Sequence, residues 1–208
     1  YYLFVVNNWP GGLVRLDFGS SILNSPNAIS LGNFGGNLSN NAEGIQLLKV
    51  NGSWLAIIVG GYPAGGIASQ ILKLDFGADI SNTAPVPTNW GNIGNMNYPI
   101  DLHIFQENNN WFGFTLNSEN QTLTRFDFGI DFSAPPSATN LGNIGNFSGP
   151  TGIFAINDNG FWRVFITNSV YGTKFTRLDF GSSLLNAPQV VDLGNIDNLF
   201  IRPRDLII

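Results

Sequence analysis

Apolar residues fall in short blocks separated by polar, glycine-rich connections, and no stretch keeps the 3.6-residue period of an amphipathic helix. One set of blocks opens on an aromatic residue, at 1–6, 54–59, 111–116 and 162–167. Tyr1, Trp54, Trp111 and Trp162 lead these blocks, and Phe4, Ile57, Phe114 and Phe165 follow three residues on. Short runs rich in aromatic and β-branched residues, bounded by Asn and Gly, predict strands. A second set carries the phrase Leu/Phe-Asp-Phe-Gly, with aspartates at Asp17, Asp75, Asp127 and Asp179, spaced 58, 52 and 52 residues apart. A cation stands two residues before each: Arg15, Lys73, Arg125 and Arg177. A third set ends in Leu/Trp-Gly-Asn at Asn33, Asn92, Asn143 and Asn195. A fourth comprises the apolar segments 44–50, 100–105, 152–156 and 205–208.

The four sets recur together, so the chain reads as four repeats of about 52 residues, approximately 1–53, 54–110, 111–160 and 161–208. Four short strands per repeat predict an all-β fold, a β-propeller of four repeats with four-stranded blades in a single domain spanning 1–208. Separate β-sandwiches are excluded by size, because one repeat is too small to bury two sheets of its own. The phase adds an expectation. The chain opens on the second strand of a repeat and closes on the first, so pairing 205–208 with 1–6 would complete a ring and remove two open edges. Two copies joining into an eight-bladed ring satisfy the same phase.

Pro150-Thr151-Gly152-Ile153, then Asn157-Asp158-Asn159-Gly160 and the apolar run from Trp162 to Asn168, resemble an NHL-type propeller repeat. The equivalent positions elsewhere read Ala42-Glu43-Gly44-Ile45, Pro99-Ile100-Asp101-Leu102 and Pro203-Arg204-Asp205-Leu206. The Leu-Asp-Phe-Gly and Leu-Gly-Asn phrases are also similar to repeats in large secreted and surface proteins of gliding bacteria. These resemblances imply a propeller. They imply no single function, since NHL-like propellers include binding modules, lactonases and lyases.

Composition narrows the function classes. The formal net charge is −5 and there is no basic cluster, which argues against nucleic acid. No apolar run reaches the length of a membrane-spanning helix, so membrane insertion is not expected. There is no cysteine, which removes thiol nucleophiles and thiolate metal sites. Charged residues are 11 % and Asn, Gly, Ser and Thr supply the polarity, a balance we associate with an extracellular or cell-surface setting.

The regular Arg/Lys-x-Asp pairs suit a packing role, as ion pairs within or between blades, because identical repetition serves a scaffold. Function is sought where the repeats differ. The connections between second and third strands carry Trp9, Tyr62, Asn120 and Tyr171, and the Asn-rich segments leading into the first strands include Tyr98. On a propeller these lie on one face. Aromatic rings cover the apolar faces of sugars and amides bond hydroxyls in both senses, so glycan or another surface ligand is the expected partner. A second cluster, Glu43, Asp101, His103, Arg204 and Asp205, falls at equivalent blade entrances near the expected channel, where carboxylates could hold a cation such as calcium. No dedicated metal or cofactor motif occurs. The leading expectation is a non-enzymatic binding or adhesion module, acting as a monomer or a homodimer. The alternatives are a lactonase- or lyase-like enzyme using His103 and Asp101, or a purely structural scaffold.

Overall fold

The computed structural model describes residues 1–170 and 173–207. The chain forms two compact units, Tyr1–Asn92 and Ile93–Ile208. Every sheet is an antiparallel up-and-down meander in chain order.

The first unit holds a three-stranded sheet, β1 (Tyr2–Asn7), β2 (Gly12–Asp17) and β3 (Asn27–Gly32). Its second sheet is four-stranded: β4 (Ala42–Val50), β5 (Ser53–Gly60), β6 (Gln70–Gly77) and β7 (Val86–Gly91). The core of this unit joins Leu13 of β2 with Leu38, Ala56, Ile58, Leu72, Leu74 and Phe76, against which Phe4 and Trp54 pack. The second unit has two four-stranded sheets. One contains β8 (Pro99–Glu107), β9 (Asn110–Asn117), β10 (Thr122–Gly129) and β11 (Ser137–Asn140). The other contains β12 (Pro150–Asp158), β13 (Phe161–Asn168), β14 (Lys174–Gly181) and β15 (Gln189–Gly194). Its core runs from Phe112, Phe114 and Leu116 to Trp162, Val164, Ile166, Leu178 and Phe180. Phe114 and Phe180 meet across the two sheets at 5.3 Å between ring centroids. Each such ring, fully buried, contributes roughly 1.5–3 kcal/mol.

Apart from the segment 205–208, the predicted strand sets match these elements. Trp54, Trp111 and Trp162 stand opposite Gly77, Gly129 and Gly181 across the ladder, which fixes their equivalence in space. The phrase Leu/Phe-Asp-Phe-Gly closes the third strand of each four-stranded sheet. Its glycines adopt positive φ (Gly77 +71°, Gly129 +68°), a conformation that L side chains resist, and the ladder shifts register there as a bulge. The aspartate makes the bend: Asp17, Asp75 and Asp127 each accept the N–H of the glycine two residues on, at 2.8–2.9 Å.

Two expectations are corrected. The cation before each aspartate is not uniformly its ion-pair partner. Arg177 does grip Asp179 with Nε and Nη2, at 2.8 and 2.9 Å. Arg15 donates to the carbonyls of Ile80 and Asn82 in the loop between β6 and β7, and Arg125 to Leu184 O at 2.7 Å. A guanidinium reaches past its own strand when a loop carbonyl lies beside it and the bend N–H already engages the aspartate.

The second correction concerns closure. Among the described residues no strand joins the outer edge of β1, and its sheet stops at three strands. Residues 205–207, expected in the closing strand, lie outside any strand, and Ile208 lies outside the described residues. The physical reason is local. The segment is held against β12 instead: Thr151 Oγ1 donates to Pro203 O at 2.7 Å, and a Cβ on Gly152 would lie 2.7 Å from Asp205 Cα. Leu3 and Val5 on β1 remain 50 % and 39 % exposed.

Candidate functional site

In the first unit, the loop between β1 and β2 carries Trp9, which is 71 % exposed. The loop beneath it is tied down by amides. Asn8 Nδ2 donates to the Glu43 carboxylate, and Asn41 Nδ2 donates to Asn8 Oδ1 at 3.4 Å. Asn41 N donates to Asn8 O at 2.7 Å, and Gly11 N to Asn40 Oδ1 at 2.7 Å. Trp9 and Glu43, assigned to separate groups by sequence, are thus linked through Asn8. The result is an exposed indole on a braced loop flanked by amide and carboxylate groups.

The other loop residues are placed differently. Tyr62 is half-buried, and its ring packs over the turn Pro63–Gly65, where Cδ1 lies 2.7 Å from a Cβ position on Gly65. In the second unit, Tyr98 is half-buried at φ +55°, and its carbonyl accepts Ser118 N at 2.9 Å. Asn120 is exposed and accepts Thr122 Oγ1 at 3.0 Å. The two loop sets meet in this unit: Glu119 N donates to Asn97 O, and Ser169 N to Gly149 O. Buried Asn117 and Asn168 anchor them. Each accepts a backbone N–H from the segment entering the sheet, Asn97 or Ser148, and donates to threonine hydroxyls of the third strand. Tyr171 lies outside the described residues.

The strand-entrance group in the second unit centres on β8. Asp101 accepts Leu102 N through Oδ1 and Ile153 N through Oδ2, both at 2.8 Å. His103 Nδ1 accepts Ala155 N at 2.7 Å, so the neutral ring carries its proton on Nε2. The imidazole stacks on Phe154 with centroids 4.4 Å apart. Side chains of β8 therefore bridge to the backbone of β12, doing between sheets what a ladder does within one. Burial pushes the Asp101 carboxyl up to about 6, against the pull of its two N–H donors, and the Asp205 charge adds to the rise. Burial lowers His103 to about 4. Arg204 and Asp205 are exposed. Among the described residues no three His, Asp or Glu side chains gather at metal-ligating separation.

A further cleft escaped the sequence reading. It lies at the other end of the fourth sheet, against Phe161, Arg163 and Asp179. Its signal was present in the chain, as departures from the repeat at Phe161 and Arg163.

No family model matches the chain, and no curated protein matches it. The NHL-type resemblance therefore stands without a family match. Among solved structures, the chain is similar to one described as the crystal structure of a thermostable family-43 glycoside hydrolase, with a TM-score of 0.58 at 10 % identity. The alignment covers 92 % of this chain and 68 % of that one. At this identity the likeness speaks to the fold alone, an all-β chain of antiparallel sheets.

Proposed function

We propose that this chain is a carbohydrate-binding module of a secreted or cell-surface protein, working without catalysis. The observation that carries the reading is Trp9, an indole 71 % exposed on a loop braced by Asn8, Asn40 and Asn41 and tied to Glu43. An exposed aromatic ring costs little to hold still when its loop is already bonded, and it offers an apolar plate beside groups that exchange hydrogen bonds with hydroxyls. The solved structure it resembles is described as a glycoside hydrolase, which is compatible with this ligand class. Binding of the chain to an array of neutral and acidic glycans tests the proposal. A hit weakened at least tenfold by Trp9→Ala is expected; an array without binding, or binding indifferent to Trp9→Ala, overturns it.

The enzyme reading has one specific observation behind it, the half-buried Asp101 and His103 pair with displaced pKa values. Their acceptor atoms, however, are engaged by backbone N–H groups of Leu102, Ile153 and Ala155. A general base needs a lone pair facing substrate. Both residues therefore fit a bracing role better than proton transfer, and lactone hydrolysis that vanishes in His103→Asn would reverse that preference.

A further inference from the structure

The repeats disagree most sharply at one end of the fourth sheet. The ladder registers make Leu55, Phe112 and Arg163 equivalent, since each stands opposite the repeated aspartate, Asp75, Asp127 or Asp179. Leu55 and Phe112 are buried apolar residues, whereas Arg163 is a cation. Two positions before, Ser53 and Asn110 are matched by Phe161, which is 54 % exposed. Across the sheet, Val86 and Ser137 are matched by Gln189. Three substitutions away from the repeat converge on one cleft of about 280 Å³, completed by Trp162, Asp179 and Gly181.

We propose that this cleft is a subsite for a neutral, hydroxyl-rich ring, a single sugar unit of a glycan chain; the proposal rests on the carbohydrate reading above. Phe161 supplies the apolar plate. Arg163 and Gln189 supply donors, and Gln189 and Asp179 supply acceptors. The guanidinium is held in place: Arg163 Nη1 bonds Asp158, and its Nε lies 3.8 Å from Asp179 Oδ1. Asp179 is in turn gripped by Arg177 through two bonds at 2.8 and 2.9 Å. Two arginines and two aspartates cancel, so the cleft offers oriented polar groups with no net charge. That selects hydroxyls over a phosphate or carboxylate, which would need an uncompensated cation. The volume lies just under the range of about 300–1,000 Å³ usual for small-molecule sites, which suits one ring.

The test is calorimetric titration of the wild-type chain, Phe161→Ala, Arg163→Leu and Trp9→Ala with cellohexaose, xylohexaose, mannohexaose and laminarihexaose. Arg163→Leu restores the residue that Leu55 provides in the second repeat, and Phe161 is exposed, so neither change empties the core. The expected result is a tenfold or greater loss of affinity in Phe161→Ala and Arg163→Leu for a hexaose that the wild type binds. Wild-type binding that both variants retain, with loss only in Trp9→Ala, overturns this subsite and leaves the Trp9 reading standing. Loss in the cleft variants with Trp9→Ala unaffected supports the subsite and removes Trp9 from the site. No wild-type binding to any hexaose overturns this subsite, and the glycan array then decides the Trp9 reading separately.

Discussion

Replacing His103 by Asn isolates a pH-dependent contribution to folding that the wild type conceals. Asn Oδ1 takes the place of the imidazole Nδ1 and can still accept the Ala155 N–H, so the bridge from β8 to β12 survives while the titration is removed. In the folded chain His103 titrates at about 4, against an ordinary value near 6.5. The unfolded chain therefore binds the proton more readily, and the His103 contribution is complete above about pH 6.5 and lost as pH falls toward about 4. At about 1.4 kcal/mol per pH unit, that interval is worth about 3 kcal/mol. Asp101 acts with the opposite sign. Its folded value is about 6 against 3.8, so its contribution is complete below about pH 3.8 and lost as pH rises through about 6, to a similar extent. The two nearly cancel in the wild type. The measurement is guanidinium denaturation of wild type and His103→Asn at several pH values between about 4 and 7. Taking the difference between the two proteins removes every other titrating group. The stability advantage of the wild type over the variant should grow by about 3 kcal/mol from the acid to the neutral end. A difference that stays constant with pH would mean that His103 titrates as a solvated imidazole, and the buried bridge from β8 to β12 would be refuted.

Two further substitutions test the scaffold. Gly77→Ala meets no atom within 4 Å, so its cost is backbone strain at φ +71° alone, about 1–2 kcal/mol, read from the denaturation midpoint; an unchanged midpoint would deny the bend. Asn168→Ala leaves Ser148 N and the Thr176 hydroxyl without their buried partner and should cost about 1–3 kcal/mol, with faster amide exchange at Ser148 as the site-specific signature.

The strands were legible because their causes are local. A run such as Trp54 to Val59 carries its β-preference in its own side chains, and the glycine after each repeated aspartate announces a bend wherever it stands. The repeat length was legible too, and it reappears in space: Asp101 reaches residue 153, His103 reaches 155 and Thr151 reaches 203, each 52 positions away. Which atoms meet at that spacing was not legible. Arg125 and Arg177 share one motif, yet one bonds the Leu184 carbonyl and the other its own aspartate, because the choice depends on what the neighbouring loop presents. Closure of the ring was inferred from phase alone, whereas the segment expected to close it is tethered to β12, through Thr151 on Pro203 and the close approach of Asp205 to Gly152. The candidate sites divide in the same way. Trp9 could be named from its loop, but its link to Glu43 needed Asn8 to be placed between them. Phe161, Arg163 and Gln189 are scattered over three strands and become one cleft only when the ladder registers align them. The chain by itself determined four rounds of short antiparallel strands, since turn chemistry and side-chain preference act within a few residues. The tertiary structure alone decided which polar groups pair and where a ligand could sit, since those contacts arise between strands that the sequence holds far apart.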